Sequence, residues 1–432
     1  METYYIGFIG LGLILILIAA GVPIAVSLGT VGIVGTMVLK GFSVGLELGS
    51  MVPFASVASY LLTIVPLFLL MGAFAFLSKI SEDAYEIGNK WLSFLPGGLA
   101  SATVAGCALF AATSGSSIAT SGAMGKIAIG QMKKYGYDGK LACGCVAAGG
   151  LLGVMIPPSI ILVLYGIITE ESIGKLLMAG FLPGFLTAIV FIAGITLVVI
   201  KNPRLAPPAN PVPWKERIYC LKSGVGILTL MAAALGTIYA GILTPTEAGA
   251  FGAFVAFIFV LIRNRDWKGF VASIKEASQV TSTIFAIIIG ASIFAKFLVV
   301  AKVPLYVTHF IIGLDIAPIF ILLTIFLVYI MLGCFLDPVS TLVLTLPLFY
   351  PVIIKLGFNG VWFGVIVTLL IEVGLITPPV GFNVYVIKSI VPEVPLEDVF
   401  LGVAFFIVMI LLVLALLVTF PQIVLWLPNR FG

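Results

Sequence analysis

Two pairs of adjacent prolines, Pro157-Pro158 and Pro378-Pro379, sit inside long apolar runs, and that placement constrains the fold more than any other feature of the chain. Proline removes a backbone donor and clashes with the preceding turn, so a helix does not pass through such a pair unbroken. At membrane depth, non-helical backbone is tolerated only where protein or a watery cavity satisfies its polar groups. Two further breaks interrupt similar runs, the Gly/Ser cluster at 113–117 and the stretch 333–338. The four are related by a displacement of 221 positions without a gap. Lys134-Tyr135-Gly136-Tyr137 falls on Lys355-Leu356-Gly357-Phe358, Gly153 on Gly374, Pro157-Pro158 on Pro378-Pro379, and Ser117 on Pro338 beside Asp337. Matched interruptions in two halves are the best sequence pointer to a binding site between membrane repeats.

The runs themselves are membrane spans. The 432 residues have a mean hydropathy of +1.27, with 61% hydrophobic and only 9% charged, which excludes a soluble domain. Many windows reach the ~20 apolar residues that a spanning helix requires. Period-2 alternation is absent, so the expected class is an all-α polytopic membrane protein and not a β-barrel. The net charge of +4 is modest and its cations lie mostly between spans, so no nucleic-acid partner is expected. Five cysteines in or beside apolar segments and a single His309 have no metal-ligand spacing; no transition-metal site and no catalytic residue is expected. Met1-Glu2-Thr3 lacks the basic start of a cleavable signal.

Read in order, 5–20 and 22–39 are two apolar pieces, 51–79 is one long apolar segment, and 80–96 is a charged amphipathic connector. Residues 97–131 hold two helical pieces too short for two crossings at 1.5 Å per residue, so they predict a re-entrant hairpin. A broken helix follows at 140–165, then a span at 176–200. Five prolines in 201–217 mark a stiff linker and divide the chain into repeats 1–200 and 218–432. The second repeat runs as spans near 219–240, 244–263 and 279–300, a hairpin 316–355, a broken helix 359–390 and a last span near 398–427. About five crossings plus a hairpin per half is an odd count, so the halves are expected to be inverted. With the linker in the cytoplasm, fifteen of the 22 basic residues, among them Lys133, Lys140, Arg263 and Arg265, fall inside. Both termini are then periplasmic.

Half-helices that start inside a membrane aim unpaired N–H groups and a positive dipole end at the cavity. Asp337-Pro338 and Thr377-Pro378 each combine a capping side chain with proline at the first helical position. Ser116 or Ser117 can cap the second arm of hairpin one, and Pro157 can open a half-helix after Ile156. Four converging N-termini suit a carboxylate or sulfonate, while unwound carbonyls suit Na⁺. One sodium is expected between Gly115, Ser116, Ser117 and Gly153, Ile156, a second between Gly333, Asp337 and Gly374, Thr377. Ser117, Thr120, Pro158, Tyr165, Asp337, Pro338, Pro379 and Asn383 are the candidate substrate contacts, although Tyr165 and Asn383 suit helix–helix hydrogen bonds equally well. Glu372 is an acid within a span, costly to insert and so a functional candidate. Glu247 suits a helix cap.

These residues lie in motifs that resemble the large membrane (DctM-like) subunit of TRAP, tripartite ATP-independent periplasmic, transporters. The motifs are Ser114-Gly-Ser-Ser-Ile-Ala119, Met132-Lys-Lys-Tyr-Gly-Tyr137, Gly153-Val-Met-Ile-Pro-Pro-Ser159, Thr244-Pro-Thr-Glu-Ala-Gly249, Phe335-Leu-Asp337 and Thr377-Pro-Pro-Val-Gly-Phe-Asn383. They run through both halves. The resemblance implies an elevator-type, ion-transporter-superfamily fold and sodium-driven uptake of an organic acid across a bacterial inner membrane. It implies a small four-helix membrane subunit, here as a separate chain because no such block precedes Met1, and a periplasmic binding protein that delivers substrate. Sodium ligation at hairpin tips and helix breaks carries over to Ser116, Ser117, Gly153, Gly333, Asp337 and Thr377. At least two sodium ions are expected, because one with a monoanion carries no net charge. Two gain about 2.3 kcal/mol per 100 mV from the net charge. The alternatives are a binding-protein-independent sodium–dicarboxylate symporter of the same architecture and an intramembrane enzyme. The second is disfavoured by the lack of an aspartate dyad or an Asp-rich metal motif.

Overall fold

The structure, a computed structural model, describes residues 3–208, 212–264, 266–313 and 316–431; Arg265 and linker residues 209–211 lie outside the described residues. Those described form helices and turns with no strand. The first half opens with α1 (Thr3–Ala19), α2 (Ile24–Lys40) and α3 (Phe42–Val57), then a short 3-10 turn leads to α4 (Ile64–Leu77). The expected single segment 51–79 is therefore two helices. Pro66 lies in the first turn of α4, where its missing N–H costs no intrahelical bond, and the chain breaks ahead of it. The amphipathic connector is α5 (Ile80–Leu92).

Hairpin one is α6 (Gly98–Ser114) and α7 (Ser117–Lys134). The broken helix is α8 (Gly139–Gly150) with the short α9 (Leu152–Met155), then α10 (Ile160–Thr169), bent by 42° at the prolines. α11 (Ile173–Lys201) crosses in 29 residues. The end of the expected linker is helical: α12 (Trp214–Cys220) starts behind Pro213, with Glu216 in its first turn where the helix dipole favours an acid. The span near 219–240 is not one smooth helix. It bends 45° between α12 and α13 (Val225–Met231), then passes through a π turn at 232–236 into α14 (Thr237–Tyr239).

The second half continues with α15 (Pro245–Arg263) and α16 (Trp267–Val300), which begins well before the expected residue 279 because Asp266 caps an earlier, polar turn. A short helix that the hydropathy pattern did not separate, α17 (Val303–Ile312), precedes hairpin two, α18 (Pro318–Gly333) and α19 (Pro338–Lys355). The second broken helix is α20 (Gly360–Ile376) and α21 (Phe382–Ile390). The expected last span divides into α22 (Leu396–Thr419) and α23 (Gln422–Phe431), since Pro421 cannot continue α22.

Six helices among the described residues are long and apolar enough to cross a membrane, or up to eight if each bent pair counts as one. Their burial differs sharply. In α15 and α22 only 39% of the apolar window is inside the protein, so the rest faces outward, whereas every residue of α20 and all of 141–150 in α8 are buried. The broken helices therefore form the centre, with α6, α7, α18 and α19 packed on them. Around them α16 lies along α2 and α4, and α15 along α4.

Candidate functional site

At the tip of hairpin one, α6 ends on Gly115, whose φ of +64° is left-handed and suits a residue without Cβ. The chain turns back at once. Ser116 caps α7 by accepting from the Ala119 amide at 3.3 Å. The Thr120 hydroxyl donates to the Ser116 carbonyl at 2.8 Å and contacts the Ser114 hydroxyl at 2.7 Å. This tip sits against the first break. A Cβ on Gly153 would lie 2.4 Å from Thr120 Oγ1 and 2.6 Å from the Ser116 carbonyl oxygen. The Gly115 carbonyl accepts from the Ile160 amide at 3.4 Å.

The second half builds the same contact with different residues. α19 starts at Pro338 with Asp337 as its cap; Asp337 accepts from the Ser340 amide at 3.1 Å and from its hydroxyl. The tip sits against the second break, because a Cβ on Gly374 would lie 2.5 Å from the Gly333 carbonyl carbon. Thr377 ends α20, and its hydroxyl donates to the Val373 carbonyl at 2.6 Å.

Two expected helix starts are corrected. Thr377-Pro378 does not open a half-helix: the chain stays unwound to Gly381 (φ +65°) and α21 begins at Phe382. Pro157 does not open one either, since α10 begins at Ile160 with Ser159 accepting from the Leu162 amide. Ser159 directly after the first Pro-Pro is extended, and Gly381, two residues after the second, is left-handed, so each helix starts late. Both Pro-Pro bonds are cis. Asp337-Pro338 and Ser116 cap as the sequence indicated.

The two contacts meet. Ser117 at the start of α7 donates to Glu372 Oε1 on α20 at 3.2 Å, across the two halves. Glu372 is fully buried, and its Oε2 has no hydrogen-bond partner. The sequence flagged Glu372 as an acid within a span but carried no signal for its partner, which is 255 residues away. Reasoning from sequence also missed Ser121, one turn beyond Ser117, buried without a partner and closely opposed by Gly150.

The candidate substrate residues separate by exposure. Ser117, Thr120, Pro158 and Pro338 are buried. Tyr165 is a correction, since its hydroxyl donates to the Gly360 carbonyl at 2.7 Å and its ring meets Tyr350 edge-on; it is fully buried in packing. Asn383 is likewise buried, its amide donating to the Ala147 carbonyl at 3.5 Å. Ser116, Asp337 and Thr377 are half-buried, and Pro378 and Pro379 are exposed. Glu247 forms a capping box with Thr244.

Both contacts offer carbonyl and hydroxyl oxygen, and the second adds the Asp337 carboxylate, with glycines where a Cβ would fill the space. That composition fits a hard cation such as Na⁺. No group of three or more His, Cys, Asp or Glu able to hold a metal occurs among the described residues.

Comparison with known proteins agrees over nearly the whole chain. Residues 11–423 match the family "Tripartite ATP-independent periplasmic transporter, DctM component". The C4-dicarboxylate TRAP transporter large permease protein DctM of Pseudomonas aeruginosa is 35% identical over 86% of this chain and 87% of its own. The isethionate TRAP transporter permease protein DctMQ of Oleidesulfovibrio alaskensis is 32% identical over 88% of this chain and 60% of its own. The ectoine TRAP transporter large permease protein TeaC of Halomonas elongata is 29% identical over 96% of each. Among solved structures, the Alcanivorax borkumensis YdaH transporter superposes with a TM-score of 0.59 at 12% identity, covering 88% of this chain and 90% of that one, a likeness of fold.

Proposed function

This chain belongs to the DctM family of tripartite ATP-independent periplasmic transporters, a membrane permease and not an enzyme, and from that premise we propose that it drives uptake of a small organic acid anion with a sodium gradient. The observation that carries the reading is the meeting of both tips and both breaks through Ser117 and Glu372. One sodium is assigned to Gly115, Ser116, Ser117, Gly153 and Ile156, a second to Gly333, Asp337, Gly374 and Thr377. Oxygen ligands and helix-terminal carbonyls suit a cation of that hardness. Exposed or half-exposed Ser116, Asp337, Thr377 and Pro379 stand where an anion would meet the bound cations. Relatives are named for C4-dicarboxylate, isethionate and ectoine; a carboxylate or sulfonate is the shared chemistry of the first two and the class proposed here.

The transport step is an elevator movement of 97–165 and 316–390 against the remaining spans in a bacterial inner membrane. A periplasmic binding protein delivers substrate, a small four-helix subunit completes the membrane part, and both termini face the periplasm. Two sodium ions with a monoanion move one net charge, worth about 2.3 kcal/mol per 100 mV. The test is uptake of labelled organic acids into proteoliposomes with the cognate binding protein and small subunit. Uptake should require an inward sodium gradient and rise with a negative interior. Equal uptake with potassium in place of sodium contradicts the coupling, and undiminished uptake after crosslinking 97–165 to α2 contradicts the moving block.

A further inference from the structure

We infer that Glu372 is a cation ligand for the first half-site, supplied from the second half of the chain. This rests on the sodium reading of the two tips. The first half-site has only neutral groups of its own. At the 221-residue displacement, Ser116 stands where the second half has Asp337, so the second site carries a carboxylate on its own tip and the first does not. The position equivalent to Glu372 in the first half is Leu151, buried and apolar. The two repeats therefore place their carboxylates differently, and the structure shows where the missing one comes from: Glu372 reaches from α20 to Ser117 at the hairpin-one tip.

The surroundings of Glu372 supply no countercharge. It is fully buried, none of the four ion pairs among the described residues includes it, and its Oε2 has no partner. One neutral hydroxyl at 3.2 Å, long for an O–H···O bond, does not compensate a carboxylate removed from water. A cation at the Ser116–Gly153 contact, bridged to Glu372 through the Ser117 hydroxyl or directly, does. Glu372 also lies two residues before Gly374 on the same helix. Loading the first site therefore bears on the helix whose end forms the second, a direct physical route for coupling the two cations.

The experiment is sodium-dependent thermal stabilisation of the full-length protein in lipid nanodiscs, with potassium as the baseline, for wild type, E372Q and E372D. The charge assignment predicts that E372D retains a sodium response with reduced affinity, while the nearly isosteric E372Q loses tenfold or more in apparent sodium affinity and shows fewer coupled sites. A wild-type sodium response in E372Q, with the loss in E372D, makes Glu372 a neutral hydrogen-bond acceptor and overturns the proposal. Should E372Q not fold, E372D in a D337N background decides it. With Asp337 neutralised, the residual sodium response must move to lower affinity when E372D is added and must keep its affinity when the remote E393Q is added, and a residual response that E372D leaves unchanged overturns the assignment. Absence of any sodium response in wild type, with potassium and sodium curves superposed, instead removes the sodium reading on which this inference stands.

Discussion

The breaks at Pro157-Pro158 and Pro378-Pro379 have the same residues, the same spacing from their hairpins and opposite surroundings. Residues 151–160 are all buried, whereas Pro378 and Pro379 are exposed. One difference lies in the long helix that comes after each broken one, α11 in the first half and α22 in the second. α11 presents Gly180 and Gly184, so closely applied that a Cβ on Gly180 would lie 2.7 Å from the Met155 carbonyl oxygen and one on Gly184 2.6 Å from Ile156 Cγ1. Small residues at that spacing let helices approach in a membrane. The equivalent positions on α22 are Leu401, which points outward at 61% exposure, and Phe405; α22 instead brings Gly402 against the Lys140 carbonyl on α8. The first Pro-Pro break is sealed and the second is open, so the same dipeptide occurs in two places of different access.

Substitutions at the glycines break the comparison most strongly. G374A sets a methyl against Gly333 backbone at 2.5 and 2.6 Å, which has no means of relief, and overpacking of this kind costs about 1–3 kcal/mol. Loss of uptake with a lowered melting temperature is expected, and more than for G153A, whose nearest neighbour is the Thr120 hydroxyl. A thermal melt beside an uptake assay measures both; G153A proving the worse of the two would mean that the first tip is the more rigid.

Access itself can be read by cysteine labelling, since the five native cysteines are buried. P379C should react with a membrane-impermeant thiol reagent roughly tenfold or more faster than P158C. Adding G180L to P158C pushes α11 from the break and should narrow that ratio; an unchanged ratio would show that α11 is not the seal.

Removing the cap at the open site is milder. D337A loses the bond to the Ser340 amide, a cost of about 1 kcal/mol, and should lower sodium affinity more than it lowers the melting temperature. Parallel falls in both would reduce Asp337 to a cap.

The smallest effect belongs to the surface ion pair between Lys133, at the end of α7, and Glu393, beyond α21, at 2.6 Å. Lys133 holds the Glu393 carboxyl below the usual range. A depressed carboxylate stabilises the fold above the ordinary glutamate pKa of about 4.3 and ceases to do so as pH falls through its lowered value. E393Q should therefore differ slightly from wild type at neutral pH and match it in acid. A difference persisting in acid would point to a role other than the ion pair.

Much of this was legible because proline and glycine act locally. Gly115, Ser116, Gly153, Asp337 and Gly374 announce breaks and caps through their own backbone chemistry, wherever the rest of the chain lies. The helix restarts at Ile160 and Phe382 were misplaced because the chain runs on unwound past each Pro-Pro, a length set by what packs around it. Hydropathy likewise merged α3 with α4 and α22 with α23, since an apolar run carries no mark of where it turns. Tyr165 and Asn383 stood near the breaks in sequence, but which way a helix face points depends on its neighbours. The Ser117–Glu372 contact joins residues from opposite halves, and no local pattern encodes such a meeting.

Equilibrium binding of radiolabelled sodium to the purified protein tests the central claim most directly. At least two saturable, potassium-insensitive sites per chain are predicted, with G153A and G374A each removing one. No specific sodium binding, or both variants binding as wild type does, would contradict the assignment of cations to the two meeting points of tip and break.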